Sequence, residues 1–127
     1  GCHPDTVLSK FISNAILGKP LVVTGNGNIY RNFLYVTDHA RGNRLALSEK
    51  AKNQIINLEG AQSISIKNVA ERVQELHGKE VKILYTDERL GDYKGKVVDN
   101  SKAKKLLNWE PTVNFLKGSK VLYNHIK

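Results

Sequence analysis

The chain has 127 residues, 40% hydrophobic and 25% charged, a balance that suits one soluble domain with a core of its own. Twenty Lys and Arg against twelve Asp and Glu leave a net charge of +8, which points toward an anionic partner. No apolar run approaches the roughly 18 residues of a membrane span. The start, Gly1-Cys2-His3-Pro4-Asp5, lacks the basic and apolar regions of a signal peptide, and a single cysteine, Cys2, excludes an internal disulfide, so a cytoplasmic setting is expected.

Asp5-Thr6 reads as the cap of a first helix with Val7, Leu8, Phe11, Ile12, Ala15 and Ile16 as its apolar stripe, closed by Gly18 and Pro20. Leu21-Val22-Val23-Thr24 and the run from Ile29 to Val36 are rich in β-branched and aromatic residues. Gly25-Asn26-Gly27-Asn28 between them supplies turn residues, so a β-hairpin is expected. Thr37 then caps a second helix, which Gly42 weakens by about 1 kcal/mol relative to Ala. Ile55-Ile56-Asn57-Leu58 reads as a short strand buried on both faces.

Ser65 caps the clearest helix, with Ile66, Val69, Ala70, Val73 and Leu76 as its stripe and Gly78 at its stop. Val81 to Tyr85 is a strand, Asp87 to Lys96 a polar loop, and Val97-Val98 a short extended piece. Ser101 caps a helix through Leu107, and Phe115 to Lys127 is helical. The expected fold is α/β (α+β), a small mixed sheet with a β-hairpin and about five helices.

Arg31 is a cation inside an otherwise apolar strand, costly to bury without a partner. It either faces an anionic ligand or lies in water at a sheet edge. Lys102, Lys104 and Lys105 form a local basic cluster. A basic nucleic-acid-binding module would show a helix-turn-helix pattern, zinc spacing or paired aromatics, and the sequence shows none, so nucleic acid is not the expected partner. His3, His39, His77 and His125 have no ligand spacing, and His77 beside Gly78 suits a helix C-terminus.

The run Pro20 to Gly27, followed by Arg31-Asn32-Phe33-Leu34-Tyr35-Val36-Thr37-Asp38, resembles a signature of the extended short-chain dehydrogenase/reductases, the NAD-dependent nucleotide-sugar epimerases and dehydratases, with UDP-glucose 4-epimerase the nearest in character. Asn26 and Asn32 stand where that family usually has Asp. Glu88-Arg89-Leu90-Gly91-Asp92 resembles its Arg-Pro-Gly-Asp motif. Asp99-Asn100-Ser101-Lys102-Ala103 and Leu107-Asn108-Trp109-Glu110-Pro111 resemble its Asp-x-Ser-Lys-Ala and Leu-Gly-Trp-x-Pro runs. The resemblance covers nearly the whole chain.

It implies that Arg31 and Arg89 hold a diphosphate, for which the planar, always-charged guanidinium is suited. It also implies that Asp92 accepts a ribose hydroxyl, that the main chain of Val22 and Thr24 meets the uracil edge, and that Leu8 packs near the nucleotide. The family's Gly-rich turn for NAD and its Tyr-x-x-x-Lys pair have no counterpart: Gly25 and Gly27 open no helix, and none of the five tyrosines has Lys four residues on. No catalytic residue, metal site or cofactor is therefore expected in this chain.

Residues 1–127 are expected to be the C-terminal UDP-sugar-binding domain of a nucleotide-sugar epimerase (an isomerase), lacking the Rossmann half that binds NAD and silent without it. A dehydratase or decarboxylase fragment, and a non-enzymatic interaction or basic nucleic-acid-binding module, are the alternatives. With no sheet for Ile55 to Leu58 to join, self-association is a further expectation.

Overall fold

The computed structural model describes residues 3–91, 94–95 and 98–127. Its elements in chain order are α1 (Val7–Ile16), β1 (Leu21–Thr24), β2 (Tyr30–Asn32), α2 (Val36–Leu45), a 3-10 turn at Glu49–Ala51, β3 (Ser63–Ser65), α3 (Ile66–His77), β4 (Ile83–Thr86), α4 (Ser101–Leu107) and α5 (Phe115–Ile126). Five α-helices with small sheets are the α/β make-up expected from sequence, although the strands form two separate pairs, β1 with β4 and β2 with β3. Two compact units arise: Gly1–Arg31, Ile64–Gly95 and Ser119–Lys127 make the first, Asn32–Ser63 and Lys96–Gly118 the second.

In the first unit, β1 and β4 run parallel, from Leu21 opposite Ile83 to Thr24 opposite Thr86. α1 and α3 pack on each other and on β1. Helical spacing brings Leu8, Phe11, Ile12 and Ala15 of α1 and Val69, Ala70 and Val73 of α3 to the inside, where Leu21 and Val23 of β1 are also buried. Ser65 caps α3 as expected, its hydroxyl accepting from Asn68 N at 3.1 Å, and Gly78 ends that helix in the left-handed conformation. His77, the last residue of α3, joins its Nδ1 to the Tyr123 hydroxyl at 2.9 Å.

The hairpin expected across residues 25–28 does not form. Gly25 and Gly27 have positive φ, +62° and +77°, so the chain turns there, but β1 and β2 enter different sheets. The hydrogen bonds explain why. Gly25 N donates to Thr86 O at 2.8 Å and prolongs the β1–β4 ladder, while Gly27 O and Ile29 O accept from Lys67 N (3.1 Å) and Ile66 N (2.9 Å), the first amides of α3. A helix start needs such acceptors, and it outcompetes a strand for them.

The second unit is organised by Asp38 and Trp109. α2 begins at Val36 behind Tyr35, so Thr37 lies within the helix and does not cap it. Asp38, in its first turn, is only 1% exposed. Its Oδ2 accepts from Thr112 N (2.8 Å) and Val113 N (2.9 Å), and its Oδ1 accepts from Thr112 Oγ1 (2.7 Å) and Arg41 Nη2 (3.1 Å). The Asp38 carbonyl accepts from Trp109 Nε1 at 2.9 Å. Trp109 is fully buried with Ala103 and Leu107, and Leu34, Leu45, Ile56 and Leu58 pack against that cluster. A Cβ on Gly42 would stand 2.5 Å from Leu58 Cδ1 and 3.1 Å from Trp109 Nε1. This glycine makes room for the core, which the helix-propensity reading did not anticipate.

Ile55 to Leu58 form no strand. Ile55 is 87% exposed, while Ile56 and Leu58 are turned to the core, so the segment is buried on one face only. The adjoining main chain is satisfied by a side chain: Asn100 Oδ1 accepts from Glu59 N (2.9 Å) and Asn100 Nδ2 donates to Glu59 O (2.8 Å). Asn100, not Ser101, is the N-cap of α4; the Asp99 carboxylate accepts from the N–H and hydroxyl of Ser101, each at 2.8 Å. Asn108 ends α4 in the left-handed conformation, as expected where Asn replaces Gly.

Candidate functional site

Loops that follow the carboxyl ends of parallel strands are where α/β sheets gather ligand-binding residues. In the first unit these are the turn after β1 and the polar loop after β4. They enclose a half-open cavity of about 250 Å³, lined by Thr24, Asn26, Ile29, Glu88, Arg89, Leu90, Gly91 and Lys94. The β1 turn is held by its bonds to β4 and α3, and the far end of the second loop is held where Tyr30 N donates to Lys94 O at 3.1 Å. Asn26 stiffens the turn further, its Oδ1 accepting from Asn28 N at 3.0 Å.

Two of the expected residues, Thr24 and Arg89, meet in this cavity. Lys94 joins them, a second cation that sequence reading passed over. It stands five positions after Arg89 in a loop already marked as polar, so charge spacing could have pointed to it. Arg31 is half-buried on β2, with Nη1 donating to its neighbour Tyr30 O at 2.9 Å, and is not among the lining residues. Leu8 is buried in the core at 7% exposure, and Val22 is 46% exposed on β1. Asp92, Cys2 and Val97 lie outside the described residues.

The register of β1 bears on Val22 and Thr24. The amides of Leu21 and Gly25 donate to Lys82 O and Thr86 O, both at 2.8 Å. Alternation along a strand then turns the N–H and C=O of Val22 and Thr24 to the opposite edge of β1, which carries no strand among the described residues.

The Gly25–Gly27 turn does not fit a dinucleotide. It leads into β2 and opens no helix, and a Cβ at Gly27 would stand 2.8 Å from Lys67 Cβ and 2.9 Å from Val23 Cγ1. The space that glycine leaves is filled by the protein itself.

The family model described as GDP-mannose 4,6 dehydratase matches residues 3–121. A UDP-glucuronate 4-epimerase from Thermodesulfobacterium geofontis is 38% identical over 126 residues, covering 98% of this chain and 39% of that protein. UDP-glucuronic acid decarboxylase 6 from Arabidopsis thaliana is 34% identical over 112 residues, or 88% of this chain and 32% of that one. The crystal structure of UDP-glucuronic acid 4-epimerase from Bacillus cereus, in complex with UDP-glucuronic acid and NAD, matches with a TM-score of 0.90 at 30% identity, over 98% of this chain and 40% of that chain. The chain spans about two fifths or less of the length of these relatives. On the matched residues and the shared fold, the chain belongs to the GDP-mannose 4,6 dehydratase family of extended short-chain dehydrogenase/reductases, and it corresponds to the C-terminal portion of their epimerase fold.

Proposed function

We propose that this chain binds the nucleotide-sugar substrate of an NAD-dependent epimerase acting on a UDP-sugar, and holds it for chemistry carried out by an NAD-binding domain. The observation that carries the reading is the cavity at the ends of β1 and β4, whose lining includes the cations Arg89 and Lys94 with polar Thr24 and Asn26. A diphosphate carries two negative charges and calls for such a pair of cations. Arg31 and Asp92 are assigned to the diphosphate and the ribose in the same reading. The free edge of β1 supplies the alternating donor and acceptor at Val22 and Thr24 that a uracil edge can pair with, and Leu8 stiffens the nucleotide wall from the core.

The cavity volume supports a shared site. About 250 Å³ falls short of the roughly 300–1,000 Å³ of pockets that enclose a whole ligand. It accommodates a diphosphate and part of one sugar, and leaves the rest of the substrate to the NAD-binding domain. NAD, when bound there, supplies hydride transfer; this chain's own residues bind and orient. No helix among the described residues is long and apolar enough to cross a membrane, and a cytoplasmic setting goes with the reading. A decarboxylase or dehydratase acting on a related nucleotide sugar is the second reading, favoured by the Arabidopsis relative and the family description.

Titration calorimetry of the chain with UDP and UDP-glucose tests the proposal, with Arg89→Ala alongside. Binding that weakens roughly tenfold or more on loss of Arg89 is the expected outcome, the scale of one charge-assisted hydrogen bond. A folded sample that binds neither ligand overturns it.

A further inference from the structure

Arg89 and Lys94 account for an anion, but the cavity also contains an acid. Glu88 is the only carboxylate among the described lining residues. Its side chain lies across the turn after β1: a Cβ on Gly25 would stand 2.6 Å from Glu88 Cγ and 3.4 Å from Oε1. Gly25, already required by its φ of +62°, thus also leaves room for Glu88 beside the cavity. The carboxylate makes no ion pair or hydrogen bond among the described residues, even with Arg89 adjacent in sequence.

An ionised carboxylate only accepts hydrogen bonds. A diphosphate offers it none and repels it, so a pocket that served the phosphates alone would gain nothing by keeping it. Hydroxyl groups are the donors it can use, and the two oxygens of one carboxylate match two adjacent hydroxyls. In a nucleotide sugar the diphosphate has a sugar on each side, ribose and hexose. Asn26 is less suited to the same part, because its single acceptor oxygen already takes one bond from Asn28 N.

We propose that Glu88 is a specificity-determining residue of this site, accepting hydrogen bonds from vicinal hydroxyls of a sugar joined to the diphosphate. The inference rests on the nucleotide-sugar reading above. It assigns to Glu88 the distinction between hydroxylated and deoxy ligands.

The test is calorimetry on the full chain with two ligand pairs, UDP against 2′-deoxy-UDP and UDP-glucose against UDP-2-deoxyglucose, for the unaltered protein, Glu88→Gln and Glu88→Ala. The unaltered protein is expected to favour the hydroxylated member of one pair by about tenfold or more. Glu88→Ala should bring that ratio close to one, with Glu88→Gln in between. Collapse in the first pair assigns the ribose; collapse in the second assigns the hexose. Both variants remove a negative charge from beside the diphosphate, so they should bind the deoxy member of the discriminating pair, which lacks the hydroxyl Glu88 would use, at least as well as the unaltered protein does, which separates lost discrimination from lost folding. Ratios that are unchanged by Glu88→Ala in both pairs overturn the inference. No binding of any of the four ligands to the unaltered protein overturns the nucleotide-sugar reading itself, and this inference with it.

Discussion

Asp38 is an acid kept ionised in the interior of the second unit. Burial raises its pKa, but the N–H groups of Val113 and Thr112, the Thr112 hydroxyl and the Arg41 guanidinium together outweigh that cost and hold it below the ordinary 3.8. The linkage has a definite sign. A folded pKa below the unfolded one means a stabilising contribution that is complete above about pH 4 and is lost as pH falls through the lower folded value. Asp38→Asn is expected to destabilise the chain at pH 7 by about 3 kcal/mol, because amides of the Thr112–Val113 turn lose a charged acceptor. It should also flatten the acid limb of the stability profile. Urea unfolding of both forms between pH 2 and 7 checks this, and a variant that keeps the full acid limb would remove Asp38 as its source.

Among the elements, the helices were legible and the strand partners were not. α1, α3 and α5 announce themselves by apolar residues at helical spacing, and Ser65, Gly78 and Asn108 mark ends through local backbone chemistry. Strand pairing depends on residues far apart: Leu21 meets Ile83, and nothing local to either says so. For the same reason the reversal at Gly25–Gly27 looks locally like a hairpin although its flanking strands have other partners. The candidate site was legible in part. Arg89 and Thr24 could be placed through a resemblance, while Glu88 and Lys94 gain meaning only when two loops, some sixty residues apart in sequence, face one cavity. α2 gives a test in which local and packing effects have opposite signs. Replacing Gly42 with Ala should gain about 1 kcal/mol by helix propensity and lose roughly 1–3 kcal/mol by crowding Leu58 and Trp109. Net destabilisation in thermal unfolding is expected; a stabilised variant would show that the core yields around that methyl.

At the scale of the whole chain, the edge of β1 that pairs with no strand among the described residues and the exposed Leu47 and Ile55, at 86% and 87% exposure, are the liabilities. We expect the chain on its own to associate as concentration rises, with light scattering reporting species above 14.2 kDa. A strictly monomeric mass at millimolar concentration would count against this. If an NAD-binding domain is the natural cover, adding one separately should shift the population back toward a defined complex.

The backbone crosses between the two units four times, after Arg31, Ser63, Gly95 and Gly118. Neither unit is therefore a continuous stretch of sequence, and no single cut can release one intact. A recombination event that exchanged any one contiguous segment would carry parts of both or leave one broken. The loops around the cavity and the Asp38–Trp109 core are inherited together, so change at the cavity has to come by substitution within it, and not by the swapping of modules.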